Sequence, residues 1–214
     1  MLTQRAVVAP ARLARARSRT RGLARGARAQ TNASQTIHDF TLKTLGGGTR
    51  EAPTEGADLP LSQYKGKVVL INNKYGDDLV ILGVPCNQFG HQCYDKDFEL
   101  LNTLKYVRPG NGYEPKFQIT GKMTINGEDE DAFWTFLKRA IPYPADDNGG
   151  RGDDFIYNTQ PNSMPLQWSP VRRSDVVWNF EKFLIGKDGK PAKRYSPKFE
   201  NANLTADIDA LIKA

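Results

Sequence analysis

The chain has 214 residues, 39% hydrophobic and 25% charged, enough to bury the core of one ordinary domain. No apolar run approaches the roughly 18 residues of a membrane-crossing helix, so a helical membrane span is not expected. The formal net charge of +6 points at first to nucleic acid, but eight of the 30 basic residues lie in the first 28 positions, where there is no Asp or Glu. The rest is near neutral, and a nucleic-acid partner is not expected.

Residues 1–35 read as an Arg-rich presequence or a disordered arm. They are rich in Ala and Arg, free of acidic residues and able to form a helix, which is the composition of a mitochondrial targeting segment. Arginines interrupt every apolar stretch before a secretory h-region can form. The expected location is the mitochondrial matrix, with the cytoplasm as the alternative, and the expected domain spans 36–214.

From residue 36 onward, Phe40 and Leu42 alternate with polar neighbours before Gly46-Gly47-Gly48, which predicts a short strand and turn. Residues 49–60 read as loop. Two continuous apolar runs follow, Val68 to Ile71 and Leu79 to Val84, as in strands buried on both faces, which are normally parallel. Parallel neighbours need a crossover of a dozen or more residues, usually a helix. Only Asn73 to Asp78 is available here, so the strands form a hairpin or a crossover helix is missing. In the second case one face of the sheet is expected to lie bare, an aggregation hazard.

Asp95 to Tyr106 predicts a helix with Phe98, Leu101 and Leu104 on one face, and Lys116 to Ile125 a strand. Asn126 is placed to cap a second helix with Phe133, Phe136 and Leu137 inward. A long loop runs from Pro142 to Pro170. Val176 to Ile185 and Ala192 to Tyr195 then flank Asp188-Gly189 as a hairpin, and a last helix carries Ile208, Leu211 and Ile212. The order is α/β with an antiparallel ending.

Two cysteines, Cys86 and Cys93, are too few for a disulfide framework. Cys86 ends a buried strand and reads as a small core residue, and nothing around Cys93 predicts an activated thiol. His38 and His91 lack ligand spacing, so no metal site is expected.

At Val84-Pro85-Cys86-Asn87-Gln88-Phe89-Gly90-His91-Gln92 and at Val177-Trp178-Asn179-Phe180-Glu181-Lys182-Phe183 the chain resembles the glutathione peroxidases. In that family a CNQFGxQ loop and a WNFEKF segment meet at the active site of a thioredoxin-like fold, a central mixed sheet flanked by helices. The resemblance continues through Leu104 to Gly110 and Trp168 to Asp175 and covers residues 36–214 almost throughout. One motif is absent. Members read roughly N-V-A-S-x-[U/C]-G-x-T, U being selenocysteine, between the strand matching Val68 to Asn72 and the first crossover helix. This chain passes from Ile71-Asn72-Asn73 to Lys74-Tyr75-Gly76, which resembles the end of that helix. The missing motif coincides with the missing crossover. A selenocysteine codon, UGA, also means stop, and a gene model that treats it so tends to splice around it.

The resemblance implies a peroxidase that reduces hydrogen peroxide and small hydroperoxides with glutathione as co-substrate in response to oxidative stress, with no other cofactor and with selenocysteine in the complete protein. It implies that Gln92, Trp178 and Asn179 hydrogen-bond the chalcogen and orient the peroxide, the nucleophile itself being absent between Asn73 and Lys74. By residue type alone, without the motif context, Trp178 reads rather as core, and Gln92 and Asn179 as loop caps. Arg172 and Arg173 resemble positions that bind the carboxylates of glutathione, with Arg108 and Arg194 as weaker candidates. The segment Pro142 to Pro170 resembles an insertion of the tetrameric members, which implies a homotetramer. A different class stays open: a non-catalytic thioredoxin-fold subunit that binds glutathione or partner subunits.

Overall fold

Strands β5 (Val68–Ile71) and β6 (Leu79–Gly83) pair in parallel, with Val68 beside Leu79 and Leu70 beside Ile81. They occupy the middle of a five-stranded sheet of order β7 (Gln118–Ile119), β6, β5, β8 (Lys182–Ile185) and β9 (Pro191–Tyr195). The parallel alternative to a hairpin therefore holds, and only seven residues lie between Ile71 and Leu79. The computed structural model describes residues 34–71, 79–93, 96–147 and 166–214. The expected presequence up to residue 33, the nucleophile position between Asn73 and Lys74, and residues 148–165 of the expected loop lie outside them.

Strand β7 (Gln118–Ile119) adds to β6 in parallel, and β8 (Lys182–Ile185) and β9 (Pro191–Tyr195) continue beyond β5 as the predicted antiparallel hairpin. The expected strand from Lys116 to Ile125 shrinks to β7 and a bridge from Thr120 to Thr44. Its later amides leave the ladder: Gly121 N donates to Lys43 O at 3.0 Å and Met123 N to Pro85 O at 3.0 Å. Before the main sheet, β1 (Thr41–Lys43) pairs with β4 (Asp58–Pro60), and β2 (Gly47–Gly48) with β3 (Pro53–Thr54). The stretch expected to be loop thus supplies two short strands.

Both faces of the central strands are covered. On one face Val69, Ile71, Leu82, Phe183 and Ile185 pack with Phe133, Trp134, Phe136 and Leu137 of helix α2 (Ala132–Ala140). On the other, Val68, Leu70, Leu79, Ile81 and Leu184 meet Leu204 and Ile208, with Leu211 and Ile212 beside them, on helix α3 (Thr205–Lys213) and the 3-10 turn before it. The expected bare face is therefore not found: Val68 and Leu70 are 0% exposed and Ile81 is 8%. The amphipathic α3 lies across this face, and each such aliphatic side chain contributes about 1.5–3 kcal/mol when buried. Tyr195 Oη donates to Asp207 Oδ2 at 2.7 Å and ties α3 to β9.

Helix α1 (Asp97–Tyr106) begins two residues later than expected, and it buries none of its residues fully. Leu101 is 45% exposed, so the expected inward row of Phe98, Leu101 and Leu104 is only half met. The reason lies beneath it, where Leu100 and Leu104 face a cavity instead of a packed layer. Helix α2 is capped by Asp131, whose Oδ1 accepts from Phe133 N at 2.8 Å. The expected cap Asn126 stands outside the helix and serves elsewhere.

Candidate active site

The carboxyl ends of β5 and β6 point toward one end of the sheet, where open α/β folds hold their ligands. Ile71 ends β5, and Gly83-Val84-Pro85-Cys86 leads from β6 into the loop that carries Gln92. A cavity of about 270 Å³ opens there, bordered by Ile71, Cys86, Phe89, Cys93, Trp178 and Asn179 among others. Asn179 Nδ2 donates to Gln92 Oε1 at 2.6 Å, joining two residues 87 positions apart in sequence. The Trp178 ring lies 5.8 Å from that of Phe89, whose other neighbour is Trp168, also at 5.8 Å. The three residues singled out by resemblance thus gather at one place.

The expected strand from Val176 begins only at Lys182, because the preceding backbone groups are taken by side chains. Val176 N donates to Asn126 Oδ1 at 3.0 Å and Val176 O accepts from Asn126 Nδ2 at 2.9 Å. Val177 N donates to Glu181 Oε1 at 2.7 Å, and Phe180 takes a left-handed φ of 68°. Residues 176–181 are therefore folded into a turn that presents Trp178 and Asn179 to the cavity instead of alternating along a ladder.

Behind this turn lies a buried charged cluster. Lys138, 4% exposed, donates to Glu130 Oε2 at 2.5 Å, Ile125 O at 2.9 Å, Asn126 Oδ1 at 3.2 Å and Asp175 Oδ1 at 3.3 Å. Asp175 Oδ2 accepts from Trp168 Nε1 at 2.9 Å and from Arg172 N at 2.7 Å. Arg194 is equally enclosed. Its Nε donates to Glu181 Oε2 at 2.7 Å, and its terminal nitrogens to the carbonyls of Pro142, Ser174 and Asp175 at 2.7–3.0 Å. At 1% exposure it is a structural cation, which corrects its expected role as a weaker glutathione contact.

The remaining arginines lie apart from the cavity. Arg172 donates through NH1 to Gly127 O at 3.1 Å and keeps 47% of its side chain exposed. Arg173 pairs with Asp147 and sits 4.7 Å from the centre of the Tyr143 ring. Arg108 is exposed after α1. None of the three borders the cavity, so any ligand that joins them to it must reach along the surface.

No disulfide joins the two cysteines. Burial pushes the Cys86 thiol up to about 11, outweighing the hydrogen bond that its Sγ accepts from Gln88 N at 3.3 Å. A pKa near 11 leaves roughly one thiol in a thousand ionised at pH 8, and the thiolate is the reactive form. Iodoacetamide at pH 8 is therefore expected to modify Cys93, which is partly exposed, and to spare Cys86 until the chain unfolds. Peptide mass spectrometry reads this directly, and equal labelling of both would contradict it. Among the described residues no group of three or more His, Cys, Asp or Glu side chains is placed to hold a metal.

Gln88, Asn126 and the Lys138 cluster were not singled out by sequence reasoning as parts of the site. Gln88 stood inside the CNQF run, the one signal available. Asn126 and Lys138 gave none, since the partners that tie them to the turn of Trp178, Val176 and Asp175, are 50 and 37 positions away.

The family model described as glutathione peroxidase matches residues 73–138. The chain is 42% identical over 179 positions to glutathione peroxidase 2 of Mus musculus, covering 74% of this chain and 90% of that one. It is 40% identical over 207 positions to glutathione peroxidase 1 of Rattus norvegicus, covering 87% and 95%. Each alignment exceeds the part of this chain within it: 74% of 214 residues is about 158, and 87% is about 186. About 21 positions in each therefore have no residue of this chain opposite them. Among solved structures, the apo form of Trgpx matches with a TM-score of 0.50 at 27% identity, covering 84% of this chain and 97% of the other. The GPX1 of T. cruzi, at 19% identity and a TM-score of 0.50, shows the fold alone.

Proposed function

Because the chain belongs to the glutathione peroxidase family, we propose that its locus encodes a peroxidase that reduces hydrogen peroxide and small organic hydroperoxides with glutathione, and that this chain lacks the residue that attacks the peroxide. The observation that carries the reading is the contact of Asn179 with Gln92 beside Trp178, at the mouth of a cavity that Ile71 borders. Ile71 is the last described residue before the point where the family's nucleophile motif begins. With Gln92 Oε1 held by Asn179, the N–H groups of Gln92 are oriented as donors, and amide and indole N–H groups suit developing negative charge.

In the complete enzyme a selenolate or thiolate would attack one peroxide oxygen, the O–O bond would break, and the departing oxygen would leave as water or alcohol after protonation. The selenenic or sulfenic acid so formed is then reduced by two glutathione thiols in turn, with release of water and glutathione disulfide. A missing segment is supported by the seven-residue link between parallel strands and by the unmatched positions in both alignments. Selenocysteine at the missing position accounts for why a gene model would omit it.

Arg172, Arg173 and Arg108 are proposed to hold the two carboxylates of glutathione, for which a guanidinium fork is the fitting partner. The composition of residues 1–35 supports delivery to the mitochondrial matrix, and the segment from Pro142 to Pro170 supports a homotetramer. The second reading is a non-catalytic subunit of the same fold, favoured by the absent nucleophile. Sequencing the transcript across the codon for Asn73 separates them: an in-frame UGA there is expected for the enzyme, and a transcript that reads straight through supports the subunit.

A further inference from the structure

We propose that Gln88 and Asn126 are positioning residues, two side-chain amides in series that set where Gln92 stands relative to Trp178 and Asn179. The first amide grips the second residue's backbone: Gln88 Oε1 accepts from Ile125 N at 2.8 Å and Asn126 N at 2.9 Å, and Gln88 Nε2 donates to Asn126 O at 2.8 Å. The second grips the turn of Trp178, through the two bonds between Asn126 and the backbone of Val176. Four residues after Gln88 comes Gln92, and three after Val176 comes Asn179, so the bond between those two closes a ring of hydrogen bonds. Three loops distant in sequence are thereby held in one register.

Only a primary amide can fill either place. A side-chain amide offers a donor and an acceptor side by side, as a peptide group does, and each here satisfies both a backbone N–H and a backbone C=O. An alanine at 126 would leave both backbone groups of Val176 unpaired, at a position 1% exposed where water cannot replace them. Lys138 adds direction: its ammonium donates to Asn126 Oδ1 and to Ile125 O, which fixes which end of the Asn126 amide faces Val176 N.

The importance of this relay for catalysis rests on the peroxidase reading, but its existence is testable without turnover. In the chain as written, labelled with ¹⁵N, water-exchange NMR reports the side-chain amide of Asn179 and the indole N–H of Trp178, assigned with Asn179→Asp and Trp178→Phe. Asn126→Ala and Gln88→Met, a near-isosteric loss of the amide, are compared with Leu211→Ala, which weakens α3 on the opposite face of the sheet. Thermal unfolding measures how far each variant weakens the fold. Exchange at the Asn179 amide is expected to rise at least fivefold above the Leu211→Ala control in both relay variants, with the Trp178 indole signal displaced only in those two. A rise of less than fivefold over that control in either folded relay variant would overturn the proposal. Should the relay behave as expected while a chain with the family segment restored shows no peroxidase activity, the functional reading alone would fail.

Discussion

Made as written, the chain is expected to oxidise glutathione with hydrogen peroxide no faster than a protein-free control, whereas restoring the family segment with Cys at the nucleophile position raises turnover by several orders of magnitude. The reason is chemical before it is structural. Breaking the O–O bond needs a nucleophile, and donors such as Gln92 and Asn179 stabilise charge only once something generates it. Loss of a nucleophile that acts with its neighbours as one unit costs about 10⁶ in rate in a well-studied hydrolase, and the oriented groups alone retain only a small part of the acceleration. Cys86 cannot substitute, since burial holds its thiol near pKa 11. Cys93 borders the cavity and is the thiol to test. A coupled assay that follows glutathione disulfide, run on the purified chain and its Cys93→Ser variant, decides the matter. Turnover that survives in the chain and vanishes on replacing Cys93 would overturn the expectation.

The second large effect concerns Arg194. Its replacement by Ala removes the cation paired with Glu181 in an environment where both side chains are 1% exposed, and it strips the carbonyls of Pro142, Ser174 and Asp175 of a donor. Breaking one side of a buried pair costs about 3–5 kcal/mol, because the remaining charge has lost both water and partner. Against a domain stability of about 5–15 kcal/mol this is a large fraction, and at about 2–4 °C per kcal/mol the midpoint of thermal unfolding should fall by roughly 6–20 °C. Pairing Arg194→Met with Glu181→Leu should recover much of the loss, since it removes the stranded charge. A midpoint within 2 °C of the parent for Arg194→Ala would refute the assignment of this arginine to the core. Glu181 also accepts from Val177 N, so the pair stiffens the turn that carries Trp178.

Much of the fold was legible from local pattern. The unbroken apolar runs at Val68 and Leu79 marked central strands, with parallel pairing as one of two alternatives, the spacing of Phe133, Phe136 and Leu137 marked the inner face of α2, and Asp188-Gly189 marked the hairpin of β8 and β9. The site was legible only through motifs, since nothing about an isolated Gln or Asn foretells a contact across 87 residues. The errors share one cause. Asn126 before an acidic stretch has the residue preference of a helix cap, and Arg194 in a strand of alternating polarity has that of a surface cation, yet each is claimed by partners brought in by the tertiary fold. The covered sheet face was missed because no local signal reports on which side of a sheet a terminal helix settles.

The sheet's two margins also constrain how copies of the chain associate. At one margin, β9 opens on Pro191, which has no amide hydrogen to offer, and carries an exposed Lys193, whose charge hinders stacking of like strands. Ala145 N donates to Arg194 O at 2.6 Å and Asp146 accepts from Ser196 N at 2.8 Å, so the segment after α2 already occupies part of that outer edge. At the other margin β7 is two residues long, and Thr120 beyond it is already bridged to Thr44. Among the described residues neither border of this sheet offers a long free run of backbone, which disfavours its extension from chain to chain. Side-chain surfaces remain for contact between copies, and among the described residues the exposed apolar ones include Leu101, Tyr106 and Val107 on and just after α1 and Phe180 beside Asn179.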